Sequence, residues 1–462
     1  MRAFSNRGLR VQAFKVGPDF IDPGHHTLAT GRRSHNLDGW MIPAAVNQQI
    51  FWDTTQDADL AIIEGVMGLF DGYGMGEMGS TAELAKLLGA SVVLVIDAQG
   101  MARSAAALLQ GFQRFDPQVQ FLGAILNRVG SDRHRAWIQR ACEDFETNGP
   151  TMEILGGLPR QEELSIPRRH LGLVLGGEND RDPGDGDRLN KLAHWVETNL
   201  DLDGLYQKAT RLQAPSKPET IQPLPVPQDS IDIPIDQSIN QSINIGIARD
   251  RAFCFHYEYN LNLLRQLGAN LIEFSPLADK KLPDNLSGIY LAGGYPELHG
   301  PQLSHNISLC QQIATLGEQG LPIYAECGGL IYLSQTLTTK DGQTYPMVGI
   351  LPFEIAMANR PTLGYREVEL TSPWLPLTAI ARGHCFHYSQ IRPAQTESPP
   401  NTLGYAYRLQ SSQGTSEKEG YLWRNVLASY VHLHWGSCPE WAQAWLQLCR
   451  NYRSDRSLAP HD

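Results

Sequence analysis

Short apolar, β-branched runs that each close on a polar residue alternate with helix-length segments along most of this chain, and that alternation limits the fold more than any other feature. Returning from one strand to a parallel neighbour needs a crossover, and crossovers lay helices over the faces of the sheet. The sequence therefore predicts an α/β protein with doubly wound parallel sheets. In the first half the strand candidates are Arg10–Val16, Leu60–Glu64, Ser91–Asp97 and Phe121–Asn127, with helices such as Ala82–Leu88 and Ala102–Phe112 between them. In the second half Ile243–Ala248, Asn270–Phe274, Gly288–Ala292 and Leu321–Ala325 alternate with helices around Tyr259–Leu267 and Leu303–Leu316. Ligands of such sheets bind at the carboxyl ends of the strands.

The stretch from about Ala214 to Asn244, APSKPETIQPLPVPQDS followed by IDIPIDQSINQSIN, is rich in Pro, Gln and Ser and breaks the pattern. It reads as a linker over 214–242, parting a domain over 1–213 from one over 243–462; a short edge strand is the alternative for its alternating isoleucines. With 42% hydrophobic and 19% charged residues and a mean hydropathy of -0.29, the composition is that of a globular protein, and no apolar run reaches the length of a membrane span. The 38 basic and 49 acidic residues leave a net charge of -11, a poor balance for holding a phosphate polymer, so nucleic acid is not expected as a partner. Seven thinly spread cysteines and an N-terminus, MRAFSNRGLR, without an apolar core predict reduced thiols in a cytoplasmic protein.

The sharpest chemical signal is LPIYAECGGLIYL, where an apolar strand runs into Cys327, two glycines and a new apolar run. A tight strand-to-helix turn lifts a nucleophile out of the sheet beside a helix N-terminus that favours thiolate. The segment ASYVHLHWGS supplies a base: His432 and His434 share one side of a strand-like run, one as base and the other as an orienting or packing partner. In IYLAGGYPELHG the glycine pair Gly293 and Gly294 follows a strand, so its backbone N–H groups can turn toward a developing oxyanion. Together these parts suit acyl transfer from an amide.

In the first half, FKVGPDFIDPGHH packs Lys15, Asp19, Asp22, His25 and His26 into one Gly/Pro-punctuated loop. Carboxylates and a lysine at a strand end suit Mg²⁺ and phosphate, because hard cations take oxygen ligands shared with a nucleotide; a solvated polar loop is the bland alternative. Glu64 ends the strand of LAIIEGVMGLFDG where an acid can reach a metal, and Asp71 follows in a glycine-rich turn. Asp97 holds a similar place in LVIDAQGMARSAAA, and Asn127 with Arg128 in AILNRV suits a base edge or a helix cap.

The half from Ile243 onward resembles a class I glutamine amidotransferase domain of the cobyric/cobyrinic acid type, on the strength of GGYPE, AECGG and SYVHLHW, with ARDRAFCFHY and LGYRE in support. That resemblance implies a flavodoxin-like domain in which Cys327 attacks the side-chain amide of glutamine, His432 is the general base, and Gly294 with Gly328 donates to the oxyanion. His434 stands where many relatives of the superfamily carry a glutamate, and Cys385, in RGHCFHYS, stands where the family usually has an acid. The order KVGPDFIDPGHH, NLDGW, EGVMGLFDG, VIDAQGMARSAAA, ILNRV extends the resemblance to the cobyrinic acid a,c-diamide synthase family over nearly the whole chain outside the linker.

This wider resemblance implies a P-loop NTPase-like, dethiobiotin synthetase-like domain that amidates the a and c acetate carboxylates of a corrinoid with ATP, Mg²⁺ and ammonia drawn from glutamine. It implies Glu64 as a metal ligand, Asp19, Asp22 and Asp71 at the synthetase site, Asn127 near the adenine and Lys15 among the nucleotide contacts, with a homodimer as an allowed assembly. Hydrogenobyrinic acid and a nickel sirohydrochlorin are alternative substrates. No G-x-x-x-x-G-K-[ST] occurs in the chain, and Met1–Gly8 resembles the end of the helix after such a loop. The sequence thus predicts an N-terminally truncated synthetase domain, from a start codon placed too late or a shortened gene, and in the second case a remnant limited to glutaminase activity.

Overall fold

The computed structural model describes residues 1–144, 152–164, 183–211, 243–374, 379–393, 403–410 and 416–458. The segment 214–242, read as a linker, lies outside the described residues. The chain divides into two units, Met1–Ile221 and Gln222–Asp462. Among the described residues no helix is long and apolar enough to cross a membrane.

The first unit holds β1 (Val11–Val16), β2 (His35–Leu37), β3 (Leu60–Glu64), β4 (Val92–Asp97), β5 (Phe121–Val129) and β6 (Ile154–Pro159). They form two three-stranded parallel sheets, in the orders β2-β1-β3 and β4-β5-β6, so β3 and β4 each end a sheet. Position decides burial: all six residues of the central β1 are buried, whereas β3 is only partly covered and Val95 of β4 is 58% exposed. The helix Thr81–Leu88 starts where the Ser80 side chain accepts the N–H of Glu83 and stops at the left-handed Gly89. The apolar face of the helix Arg103–Phe115 buries Ala105, Ala106 and Leu109 in a core shared with β4 and β5.

The second unit contains one twelve-stranded mixed sheet. Its parallel part runs β17 (Val426–Ser429), β10 (Ile323–Glu326), β9 (Gly288–Leu291), β7 (Ile243–Ala248), β8 (Ala269–Phe274). Beyond β17 the sheet continues antiparallel through β16 (Ser416–Trp423), β15 (Gly404–Gln410) and β13 (Phe353–Leu370), and parallel from β13 to β11 (Thr336–Thr338), which pairs with β12 (Thr344–Pro346). The long β14 (Ala379–Pro393) lies on β13 and carries the short β18 (His432–Leu433) on its other edge. Tyr290, Tyr324, Trp435, Trp441 and Trp445 are fully buried and pack ring against ring beneath this sheet.

Eight expected strands are present within a few residues of their predicted bounds. The helix expected over Leu303–Leu316 is two helices, Gly300–His305 and Ile307–Glu318. They part at Asn306, whose side-chain amide donates to the carbonyls of Pro276 and Asp279, both at 2.8 Å. The antiparallel strands were not expected; LGYRE and RGHCFHYS turn out to be paired segments of β13 and β14, with Gly364 opposite Cys385 and Tyr365 opposite His384.

Candidate active sites

Cys327 sits between β10 and the short helix Gly328–Leu333 with φ +45°, a conformation side chains avoid, and is 4% exposed. This is the predicted elbow. The turn is possible because its neighbours have no side chains: a Cβ on Gly329 would lie 2.2 Å from the Leu291 carbonyl oxygen, and one on Gly328 2.9 Å from the Gly294 nitrogen. Gly328 therefore rests against the N–H of Gly294, bringing both predicted oxyanion donors to one place. The Cys327 N–H donates to the Ser429 carbonyl at 2.7 Å, and its Sγ lies 3.7 Å from the Phe386 carbonyl of β14.

His432 reaches the same place from β18. A Cβ on Gly293 would stand 2.2 Å from His432 Cε1, so this glycine makes room for the imidazole. Burial, then the neighbouring His384 and His387, holds the His432 pKa down to about 3. Burial, then Glu297 and Cys385, pushes the Cys327 thiol well up. The helix N-terminus was expected to favour thiolate, but with one short helix against full burial, desolvation prevails. Burial thus favours the neutral form of both groups, thiol and imidazole.

His434, the other histidine of the motif, is 1% exposed: its Nδ1 accepts the N–H of Gly436 at 3.2 Å and its ring stacks on Tyr259, with centroids 5.0 Å apart. Sequence reading missed His384, which lies directly opposite His432 across the β14–β18 pair. Its only sequence signal was its place in RGHCFHYS.

In the first unit, register brings Lys15 of β1 beside Glu64 of β3. The buried Lys15 Nζ contacts Asp22 Oδ2 at 2.7 Å, Glu64 Oε1 at 3.4 Å and the Gly65 carbonyl at 2.9 Å. Burial opposes the ammonium, yet Asp22, Glu64 and Asp19 outweigh it and the net shift is upward. Asp19 accepts the N–H groups of Ile21 and Asp22 at 2.7 and 3.1 Å, and burial followed by repulsion from Asp22 raises its pKa. Lys15 Nζ thus sits as a counter-charge among these acids.

The other oxygen of Glu64 bonds His26 Nε2, whose Nδ1 lies 3.1 Å from the Ser34 hydroxyl. Among the described residues no three His, Cys, Asp or Glu side chains form a cation cage. Asp71, exposed, accepts the N–H of Gly68 at 3.1 Å, and Asn127 accepts that of Arg128 at 2.9 Å while Arg128 pairs with Asp97. Neither Asp71 nor Asn127 joins the Lys15 cluster through a described hydrogen bond.

Two family descriptions match the chain: a CobQ/CobB/MinD/ParA nucleotide binding domain over residues 1–174 and a CobB/CobQ-like glutamine amidotransferase domain over 244–439. The first match begins at residue 1 of the chain and does not bear out the expected truncation, while no G-x-x-x-x-G-K-[ST] occurs within it. The cobyrinate a,c-diamide synthase of a Synechocystis species is 42% identical, with 97% of this chain and 89% of that protein covered. That of Leptospira interrogans is 40% identical over 96% and 92% of the two chains, and that of Priestia megaterium 37% over 99% and 94%. Among solved structures, PurLQS from Thermotoga maritima covers 46% of this chain and 99% of its own, with TM-score 0.33 and 14% identity. With identity to the diamide synthases of this extent along both units, the chain belongs to the cobyrinate a,c-diamide synthase family.

Proposed function

We propose that the chain is a glutamine-hydrolysing ligase that amidates the a and c acetate carboxylates of cobyrinic acid in cobalamin biosynthesis. The observation that carries this reading is the elbow thiol, neutral imidazole and paired glycines meeting at one point of a chain whose relatives match along both units. In the second unit the Cys327 sulfur attacks the glutamine side-chain carbonyl as its proton passes to His432. The oxyanion forms beside the N–H groups of Gly294 and Gly328, His432 returns the proton to the departing ammonia, and water then releases glutamate from the thioester. His434 holds the turn that carries His432.

In the first unit a substrate carboxylate takes the γ-phosphoryl group of ATP, and ammonia displaces phosphate from the acyl phosphate. A magnesium ion bound with the nucleotide would neutralise phosphate charge there and would need only a few protein oxygens to hold it. The half-exposed Glu64, with Asp19 and Asp22 nearby, offers the hard oxygen donors such an ion takes. Asp71 and Asn127 serve the substrate carboxylate and the adenine. The test is incubation with cobyrinic acid, glutamine and MgATP, following glutamate, ADP and corrinoid mass. Two amidations per corrinoid, absent without ATP, are expected. Faster turnover of hydrogenobyrinic acid or nickel sirohydrochlorin reassigns the substrate, and glutamine hydrolysis without amidation of any of the three overturns the ligase reading.

A further inference from the structure

Glu326 immediately precedes the nucleophile, is 1% exposed, and has no part in the chemistry described above. Its carboxylate turns away from the thiol. One oxygen accepts the Tyr324 hydroxyl at 2.9 Å and the N–H of Leu433 at 3.0 Å; the other accepts the Tyr290 hydroxyl at 2.9 Å. Leu433 is the residue that follows His432. Its carbonyl is held from the other side by Asn260, fully buried, whose amide donates to it at 2.8 Å and whose oxygen accepts the N–H of Trp435 at 2.9 Å.

A carboxylate is an expensive group to enclose, and here three donors answer it. A side chain meant only to fill the core would do so more cheaply as an apolar residue. What this one does is connect two chain segments distant in sequence: the peptide bearing the thiol and the peptide bearing the base. β18 itself is short, with two residues and a single ladder partner in β14, so Glu326 and Asn260 hold the Leu433 peptide from opposite sides. The Cys327 N–H on the Ser429 carbonyl fixes the near end of the segment, and Glu326 fixes the far end.

We propose that Glu326 is a positioning residue for glutamine hydrolysis, a strut from the nucleophile's neighbour to the Leu433 N–H that sets the distance between Cys327 and His432. The inference rests on the reading of Cys327 and His432 as nucleophile and base. Its sequence signal is the acid directly before the nucleophile in AECGG.

The test uses the full chain, with steady-state glutamine hydrolysis and covalent labelling of Cys327 by a diazoketone analogue of glutamine. Glu326→Leu removes the acceptor at nearly the same volume, and Glu326→Asp keeps the charge but draws it back by one methylene. In each folded variant kcat and the labelling rate are expected to fall by about 30-fold or more, with KM for glutamine within about twofold of the parent. Glu326→Gln retains an oxygen for the Leu433 N–H and is expected to recover most of kcat. A folded Leu or Asp variant with parental kcat and labelling overturns the proposal. So does a loss confined to KM, or a Gln variant no better than Leu. If neither Leu nor Asp gives folded protein, Glu326 belongs to the fold and the positioning role falls. Cys327→Ala and His432→Asn run alongside: if either hydrolyses glutamine at the parental rate, the underlying site reading is at fault rather than the strut.

Discussion

Cys327 illustrates how much one residue's surroundings decide. Its near-complete burial pushes the thiol's pKa up, so in the mechanism proposed above reactivity depends on handing its proton to His432 rather than on a standing thiolate. Cys327→Ala is expected to abolish glutamine-dependent amidation while sparing amidation fed by free ammonia, as measured by glutamate release and corrinoid mass. Parental glutamine hydrolysis in that variant would remove Cys327 from the mechanism. The thiol was legible in the sequence because an elbow needs small residues after the nucleophile, and CGG spells that requirement. Lys15 was harder: a lysine at a strand end suits a phosphate and a carboxylate equally well, and its place beside Glu64, with Asp22 in reach, comes from a parallel register that the local sequence does not encode. His434 likewise shares the alternation of His432, and its turn toward Tyr259 and Gly436 depends on packing that periodicity does not encode.

Among the elements, the short strand β18 and the glycine turn after β9 form a matched pair. Any side chain at Gly293 enters the space of the His432 ring. Gly293→Ala is therefore expected to displace the imidazole and lower kcat for glutamine hydrolysis by about 100-fold, with the circular dichroism spectrum unchanged. Retained activity would show that the ring has slack which the close approach denies. The parallel strands were readable because each is a short apolar run that ends in a polar residue. The antiparallel arm from β13 to β16 was not, because its strands expose many positions and carry polar and aromatic residues without clean alternation. That arm supplies His384 opposite His432 and the Phe386 carbonyl near the thiol, contacts fixed by register over long sequence separation.

On the scale of the whole molecule, the two proposed chemistries draw on residues of separate units, so damage to one should spare the other. Glu64→Gln is expected to lower ATP-dependent amidation at least about tenfold while leaving basal glutamine hydrolysis within about twofold. Equal loss of both in a folded variant would instead give Glu64 a structural role. Acid stability follows from groups in the second unit. Burial holds His432 down to about 3 and His384 and His387 to about 4, below their ordinary 6.5, so the unfolded chain binds protons that the folded unit refuses, and stability falls as pH drops through this window. Burial raises Glu326, Glu419 and Glu297 to about 7 from 4.5, which has the opposite sign: their contribution is complete below about 4.5 and is lost as pH rises toward 7. Between about 4.5 and 6.5 the two sets oppose each other, and below about 4.5 only the histidines still act. The thermal midpoint of the second unit is expected to change little in the first range and to fall steadily below it; a midpoint that rises on acidification from pH 4.5 to 3.5 would contradict this.

The division of the first unit's strands into two sheets has a bearing on handling. Since β3 and β4 each end a sheet, each offers a row of backbone donors and acceptors without a ladder partner among the described residues, and on β4 the exposed Val95 leaves that row bordered by apolar surface. Such borders recruit strands from other chains and grow more adhesive with concentration and warmth. A positive charge in place of the Val95 side chain would raise the cost of that recruitment. Light scattering of concentrated solutions should therefore show slower growth of large particles for Val95→Lys than for the parent, and indistinguishable growth would place the stickiness elsewhere on the molecule.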